Sequence, residues 1–291
     1  MTESRLALFI DRARRSSLLR RLFKHRLFVT GLILFLAVVL MAILAGVLAP
    51  HVPNQNNFRY RLGEPNAVHW LGTDNFGRDV LSRVIYGSQV SLRIALMVVI
   101  MNAVFGTLIG ASAGYFRKLD NPIMRVMDGL MAFPAILLAI ALAATLGPSE
   151  FNAVIALTIA YTPRTARIVR ASVLVVREMD YVQAALASGA GHVRILFRHV
   201  LVNSMAPLIV QLTFIFALAV LAEAVLSFIG VGPPPPTPTW GNIISEGRNY
   251  IREAPWISLY PGIAIAFTVL GLNLLGDGLR DVLDPRMKVE R

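Results

Sequence analysis

The sequence predicts an all-α integral membrane protein with six transmembrane helices. Three observations carry that expectation. Of 291 residues, 56% are apolar and only 15% charged, with a mean hydropathy of +0.63, well outside the composition of soluble domains. Apolar runs near the roughly 20 residues needed to cross a bilayer recur along the chain. Basic residues concentrate in alternate connecting segments, which is the charge pattern of a multi-pass protein with both termini in the cytoplasm. The net charge of +11 therefore belongs beside anionic lipid rather than nucleic acid. With no cysteine in the chain, disulfides, thiolate metal sites and a cysteine nucleophile are excluded.

Residues 1–26 form a basic cytoplasmic tail, with Arg5, Arg12, Arg14, Arg15, Arg20, Arg21, Lys24 and Arg26 against Glu3 and Asp11. The apolar run that follows, 27–49, has 23 residues, too long for the hydrophobic region of a signal peptide and long enough to span. Residues 50–90 are polar and rich in turn formers, and are expected outside, in the periplasm. Within them a turn at 71–73 leads to a short helix begun near Asp74, whose Val80, Leu81 and Val84 would rest on the membrane surface beside an interfacial Trp70. Asp74, Arg78 and Asp79 read either as a solvated or self-paired polar face, or as part of a docking platform.

Residues 91–279 hold the other five spans. Span two covers about 91–113, and a basic loop (Arg117, Lys118) returns the chain inside. Span three, about 123–146, contains Pro134, which removes a backbone donor and kinks the helix. Span four starts near Phe151, is apolar only to about Tyr161, and continues past Pro163 as an amphipathic helix into a segment that holds six arginines between 164 and 199. Span five, about 207–229, breaks at Gly230 before GPPPPTPTW, read as stiff, extended polyproline-like backbone. The loop 230–256 balances two basic against two acidic residues, as an outer loop should. Span six, about 257–279, brings the tail 280–291 back inside.

The segment 180–207, DYVQAALASGAGHVRILFRHVLVNSMAP, is helical in pattern yet too short and polar to cross. Asp180 is placed to cap a first helix of small residues that Gly189 ends. In the second part Val193, Leu196, Phe197 and Val200 fall at i, i+3, i+4 and i+7, one apolar stripe, with Arg194 and Arg198 on another face.

Polar groups inside the spans need partners. Asp128 lies one turn after Arg125 and suits an intrahelical or an interhelical pair. Glu223 has no basic residue at helical spacing, and so needs a partner from another helix, a protonated state or a water-filled path. Asn102, Asn273 and Asp277 can donate or accept between helices. Catalytic and metal chemistry is not expected. There is no GxxxxGK[ST] phosphate loop, no HExxH and no GxSxG, and the histidines at 25, 51, 69, 192 and 199 form no dense ligand cluster in the sequence.

Gln183-Ala184-Ala185, Gly189, Arg198-His199 and Asn203 before Pro207 resemble the cytoplasmic EAA loop of bacterial ABC importer permeases. The resemblance extends to LGTDNFGRDVLSRVIYGSQVSLR (71–93), AGYF (113–116), YTPRTARIVR (161–170), LAEAVLSFIGVG (221–232), PTWGNII (238–244) and DPR (284–286). These blocks are similar to the dipeptide/oligopeptide permease family, and specifically to its second, C-type subunit. Gln183 stands where the family usually has an acid, and Val202 where a proline often precedes the Asn.

The resemblance implies a type I importer permease fold in the bacterial inner membrane, with cytoplasmic coupling helices. It implies a homologous second permease, two ATPases that bind the ATP and Mg, and a periplasmic or lipid-anchored binding protein, with no cofactor held by this chain. Gln183, Ala184, Ala185, Ser188, Gly189, Arg194, Arg198 and His199 become the candidate ATPase-coupling residues. Trp240, Asp74 and Arg78 become the candidates for binding-protein docking. Substrates handled across the family are dipeptides, oligopeptides, nickel complexes, glutathione and opine-like compounds.

Overall fold

A computed structural model describes residues 19–283; most of the basic N-terminal tail, and the DPR block with the end of the C-terminal tail, lie outside the described residues. Helices dominate: α1 (Arg26–Ile43), α2 (Val80–Tyr115), α3 (Arg117–Met131), α4 (Ala135–Leu146), α5 (Glu150–Arg177), α6 (Asp180–Ala187), α7 (Met205–Phe228), α8 (Trp240–Gly247) and α9 (Trp256–Leu283). Among the described residues α1, α2, α7 and α9 are each long and apolar enough to span alone, and α3 with α4 makes a fifth crossing only as a pair bent by 88°. Helix α5 has the length, but Arg164, Arg167, Arg170 and Arg177 occupy its second half. The six expected spans thus map onto four unbroken helices, one broken pair and one half-apolar helix.

Two local expectations change. The helix expected to start near Asp74 and the span expected from 91 are one continuous helix of 36 residues capped by Asp79, whose side chain accepts from the Ser82 N–H. Its length of about 54 Å exceeds the roughly 30 Å hydrocarbon layer, so it projects beyond any membrane it crosses. Val80 and Val84 lie in the protein core, not on a membrane surface. At Pro134 the effect is larger than a kink. The proline lacks an N–H and forces Phe133 out of the helical region, so α3 ends at Met131 and Pro134 becomes the N-cap of α4.

Helix α2 pairs most extensively with α5. Gly106, Gly110 and Gly114 stand one turn apart on α2, and a Cβ on any of them would strike Thr165, the Ala166 carbonyl or Val173 of α5. Small residues let the two backbones approach where no hydrophobic drive between lipid-immersed helices exists. One ion pair reinforces this pairing, Arg93 with Glu150 at 2.7 Å, and a second ties α5 to α3, where Arg170 reaches Asp120 at 2.5 and 2.7 Å. We expect Gly110→Leu to force the helices apart at a cost of about 1–3 kcal/mol. Loss of the full-length chain from detergent extracts, with Gly129→Leu unaffected because a Cβ there meets nothing within 4 Å, is the check.

The buried apolar residues form two clusters. One runs along α2, α4, α5, α7 and α9 around Ile94, Leu157, Ile215 and Leu226. The other joins the C-terminal ends of α2 and α5 to the segment after α5, through Tyr115, Val173, Val176, Val182, Ile195 and Val200.

Candidate coupling surface

The segment after α5 is seated on this second cluster. Helix α6 has Met179 as N-cap, so Asp180, expected as the cap, is instead its first residue. It puts Val182, which is fully buried, against the core. Its end is a Schellman motif: Gly189, at φ +80°, donates to the Leu186 carbonyl at 3.0 Å and Ala190 to the Ala185 carbonyl at 3.1 Å, which is the pairing a left-handed glycine after a helix makes possible.

The second part departs from the expected amphipathic helix. His192–Ile195 is one α-helical turn, Leu196–Val200 a π-helical turn, and Leu201–Asn203 a further short turn. A π turn spaces neighbours on a face five residues apart, and accordingly Ile195 with Val200 and Leu196 with Leu201 are the buried pairs. The predicted stripe is split. Leu196 and Val200 are buried, whereas Val193 (67% exposed) and Phe197 (53% exposed) are turned out.

Gln183, Ala184, Ser188, Gly189, Arg194 and Arg198 are exposed, Ala185 and His199 half-buried. Together with Tyr181, Val193 and Phe197 they form an apolar surface edged by guanidinium groups. The backing is polar as well as apolar. Gln183 donates to the Arg177 carbonyl at 3.0 Å, Arg177 to the Gly114 carbonyl at 2.8 Å, and Tyr115 Oη lies 3.0 Å from His192 Nδ1. Asn203 donates to the His199 carbonyl at 2.6 Å. This surface sits on a firm base and leaves its own apolar groups without cover.

At the other end of α2 the candidate docking residues turn out to be internal. Trp240 is fully buried, its indole donating to the Val84 carbonyl at 3.0 Å. Asp74 and Arg78 are buried in a charge cluster that the sequence did not reveal. Asp74 Oδ2 accepts from Arg78 Nε at 2.6 Å and from Arg83 Nη1 at 2.7 Å, and both arginines also bind Glu246 of α8. Two positive and two negative charges balance there. Of the expected solvated or self-paired polar face, Asp74 and Arg78 show the pairing and not the solvation, and both side chains are buried within this chain. The expected polyproline run is also not extended throughout: Thr237 donates to the Pro234 carbonyl at 3.2 Å to close a turn, and Asn242 binds the carbonyls of Pro233 and Thr237 at 2.9 and 3.0 Å.

The polar residues of the spans are resolved individually. Asp128 pairs with Arg167 of α5 at 2.7 Å rather than with Arg125. Glu223 is fully buried and meets a hydroxyl, not a cation: Ser227 Oγ donates to it at 2.6 Å, and its second carboxyl oxygen has no hydrogen-bond partner among the described residues. Asn102 donates to its own helix, at the Val98 carbonyl, 3.1 Å away, not to another. Asn273 is half-buried and Asp277 exposed, and neither makes a side-chain hydrogen bond among the described residues. The histidines scattered in the sequence do not all stay apart. His51 and His69 converge on Asp79, contrary to the expectation of no ligand cluster.

Comparison with known proteins agrees with this architecture. A protein of Brucella abortus assigned to a peptide transport system as its permease is 56% identical, over 93% of this chain and 92% of its own length. The dipeptide transport system permease protein DppC of Alkalihalophilus pseudofirmus is 46% identical over 92% and 89%, and the glutathione transport system permease protein GsiD of Pectobacterium atrosepticum 40% identical over 92% and 90%. An inward-facing structure of the MetNI methionine ABC transporter matches the fold with a TM-score of 0.56 at 18% identity, over 69% of this chain and 96% of the matched one. Residues 15–66 match the N-terminal transmembrane domain of oligopeptide transport permease C. Residues 103–289, most of the chain and all of the segment 180–207, match the model of the binding-protein-dependent transport system inner membrane component, and the chain belongs to that family of ABC importer permeases.

Proposed function

We propose that this chain is one half of the translocation pathway of an ABC importer that takes up dipeptides or oligopeptides, and that the surface built by α6 and residues 192–203 docks on a partner ATPase. The observation that carries the reading is the uncovered pair Val193 and Phe197, turned outward by the π turn while Ile195, Leu196 and Val200 anchor the same segment to the core. An anchored segment with an exposed apolar edge transmits a push from a partner to α2 and α5, because it cannot move without them. Arg194 and Arg198 would steer an acidic rim toward it.

In this reading the chain pairs with a homologous second permease, a periplasmic or lipid-anchored binding protein delivers substrate, and ATP and Mg are bound by the two ATPases rather than by this chain. The chain itself is non-catalytic. Both termini and the coupling segment lie in the cytoplasm, and 50–90 and 230–256 in the periplasm. A peptide substrate is supported by the relatives named for peptide and dipeptide transport; glutathione is the second reading, from the 40% identical relative named for it. Nickel complexes and opine-like compounds have only the family resemblance behind them.

Single cysteines test the orientation in this cysteine-free chain. Ser188 and Asn249 are both exposed, whereas Ser245 is half-buried and donates to the Phe228 carbonyl at 2.8 Å, which makes Asn249 the better probe. In cells with a permeabilised outer membrane, an impermeant thiol reagent should label Asn249→Cys and leave Ser188→Cys unlabelled. In purified complexes Ser188→Cys should crosslink to the ATPase. Labelling at 188 in intact cells would overturn the orientation, and absence of any crosslink would overturn the docking surface.

A further inference from the structure

His51 follows α1, His69 lies in the loop before α2, and Asp79 caps α2 itself. His69 Nδ1 is 2.9 Å from Asp79 Oδ1, His51 Nδ1 is 3.7 Å from the same oxygen, and the two imidazoles lie side by side with centroids 4.7 Å apart and planes tilted by 34°. One donor atom from each residue lies within 4.8 Å of the others. The second carboxylate oxygen is already committed: Asp79 Oδ2 accepts from the Ser82 N–H at 2.8 Å and from Ser82 Oγ at 2.7 Å. That fixes the carboxylate plane and holds Oδ1 toward the imidazoles.

A histidine and a carboxylate in contact are ordinarily a sufficient pair. Here a second ring nitrogen is left over. His51 Nδ1 is shielded from solvent and has no hydrogen-bond partner, since 3.7 Å is beyond hydrogen-bond reach, and buried polar atoms seldom stay unpaired. We propose that His51, His69 and Asp79 form a site for a first-row transition-metal dication of the Zn²⁺ class. Two imidazoles and a carboxylate suit Zn²⁺, Ni²⁺ or Cu²⁺, whereas Mg²⁺ and Ca²⁺ favour oxygen donors throughout.

The geometry accommodates such an ion. Donors on a tetrahedral ion with bonds of about 2.1 Å stand about 3.4 Å apart, and the observed 2.9 and 3.7 Å separations bracket that spacing. The side chain that must turn is the one with room: His51 is 34% exposed, against 7% for His69 and 1% for Asp79. The partial exposure of His51 would let a water complete the coordination as fourth ligand. Supporting groups surround the donors. Ser82 Oγ, besides binding Asp79, accepts from the His51 N–H at 3.0 Å, and the Tyr60 ring packs edge-on to His69 at 5.4 Å. An ion held here ties the chain just after α1 and the loop at 69 to the start of α2, so its occupancy stiffens the whole 50–79 segment.

The full-length chain, carrying an affinity tag without histidine, is purified in detergent, equilibrated with Zn²⁺ and analysed for bound metal, and Co²⁺ is used as a spectroscopic substitute. One Zn²⁺ per chain is expected, with a ligand-field absorption for Co²⁺. His51→Gln and His69→Gln should each weaken binding at least about tenfold, and His192→Gln, at the far end of α2, should not. Zn²⁺ should raise the thermal midpoint of the wild type and leave that of His51→Gln unchanged. Because the His51 ring makes no hydrogen bond among the described residues, His51→Gln folds even if Asp79→Asn does not. Failure of the wild type to bind stoichiometric Zn²⁺, or equal binding by wild type and His51→Gln, would overturn the site and leave only a His69–Asp79 pair.

Discussion

Arg83→Met is expected to destabilise the chain by about 3–5 kcal/mol, the cost of removing one partner from a buried charge group. Arg83 and Asp74 are fully buried, Arg78 nearly so, and Glu246 mostly so. With Arg83 gone, Arg78 alone faces two carboxylates, and the cluster carries an uncompensated negative charge in a poorly solvated place. The variant should vanish from the membrane fraction, or purify with a strongly lowered thermal midpoint. Arg83→Met combined with Glu246→Gln restores neutrality and should recover part of the loss. A wild-type midpoint for the single variant would mean that the cluster is not a keystone of the loop packing.

Gly189→Leu should behave in the opposite way, leaving the fold intact and removing transport. The glycine holds φ +80°, where a side chain costs about 1–2 kcal/mol, enough to change the population of the correct helix ending roughly 5- to 30-fold. A Cβ there meets nothing within 4 Å, so the chain itself has room for it. The damage is confined to the angle between α6 and residues 192–203, and hence to the surface they present together. Uptake of labelled substrate should fall by about an order of magnitude or more while expression and binding-protein loading persist. Gly189→Asn, which tolerates a left-handed backbone, should keep most of the uptake. Gln183→Glu loses one exposed hydrogen bond to the Arg177 carbonyl, about 1 kcal/mol or less, and transport should survive it. Full uptake by Gly189→Leu, or its loss in Gln183→Glu, would refute the argument from shape.

What was legible in the sequence is what acts within a few residues. Hydropathy located α1, α2, α7 and α9 because burying a run of apolar side chains in lipid needs no particular partner. Pro134 and Gly189 ended helices through their own backbone limits, and the arginines of α5 marked a helix that leaves the apolar layer whatever packs around it. The segment 180–203 was legible for the same reason, as helix formers, a glycine and a second helical stretch in immediate succession. Its inner face was not. Helical periodicity put Val193 and Phe197 with Leu196 and Val200, and a π turn separated them, a register set by contact with Val173, Val176 and Val182.

Long-range pairing was likewise invisible. Arg83 meets Glu246 across 163 positions, and Trp240 reaches Val84 across 156, so a tryptophan and charges that looked like an exposed platform are an interior seam. His51 and His69 come within 3.7 and 2.9 Å of one Asp79 carboxylate oxygen only after the chain beyond α1 and the loop fold back onto the cap of α2. Spans, breaks and charge-bearing segments were set by the sequence alone, since each depends on a residue's own solvation and backbone freedom. The long-range partners of the buried charges, and which side chains of residues 192–203 face outward, were decided by tertiary structure, since a buried polar group is satisfied by whichever group the fold brings to it.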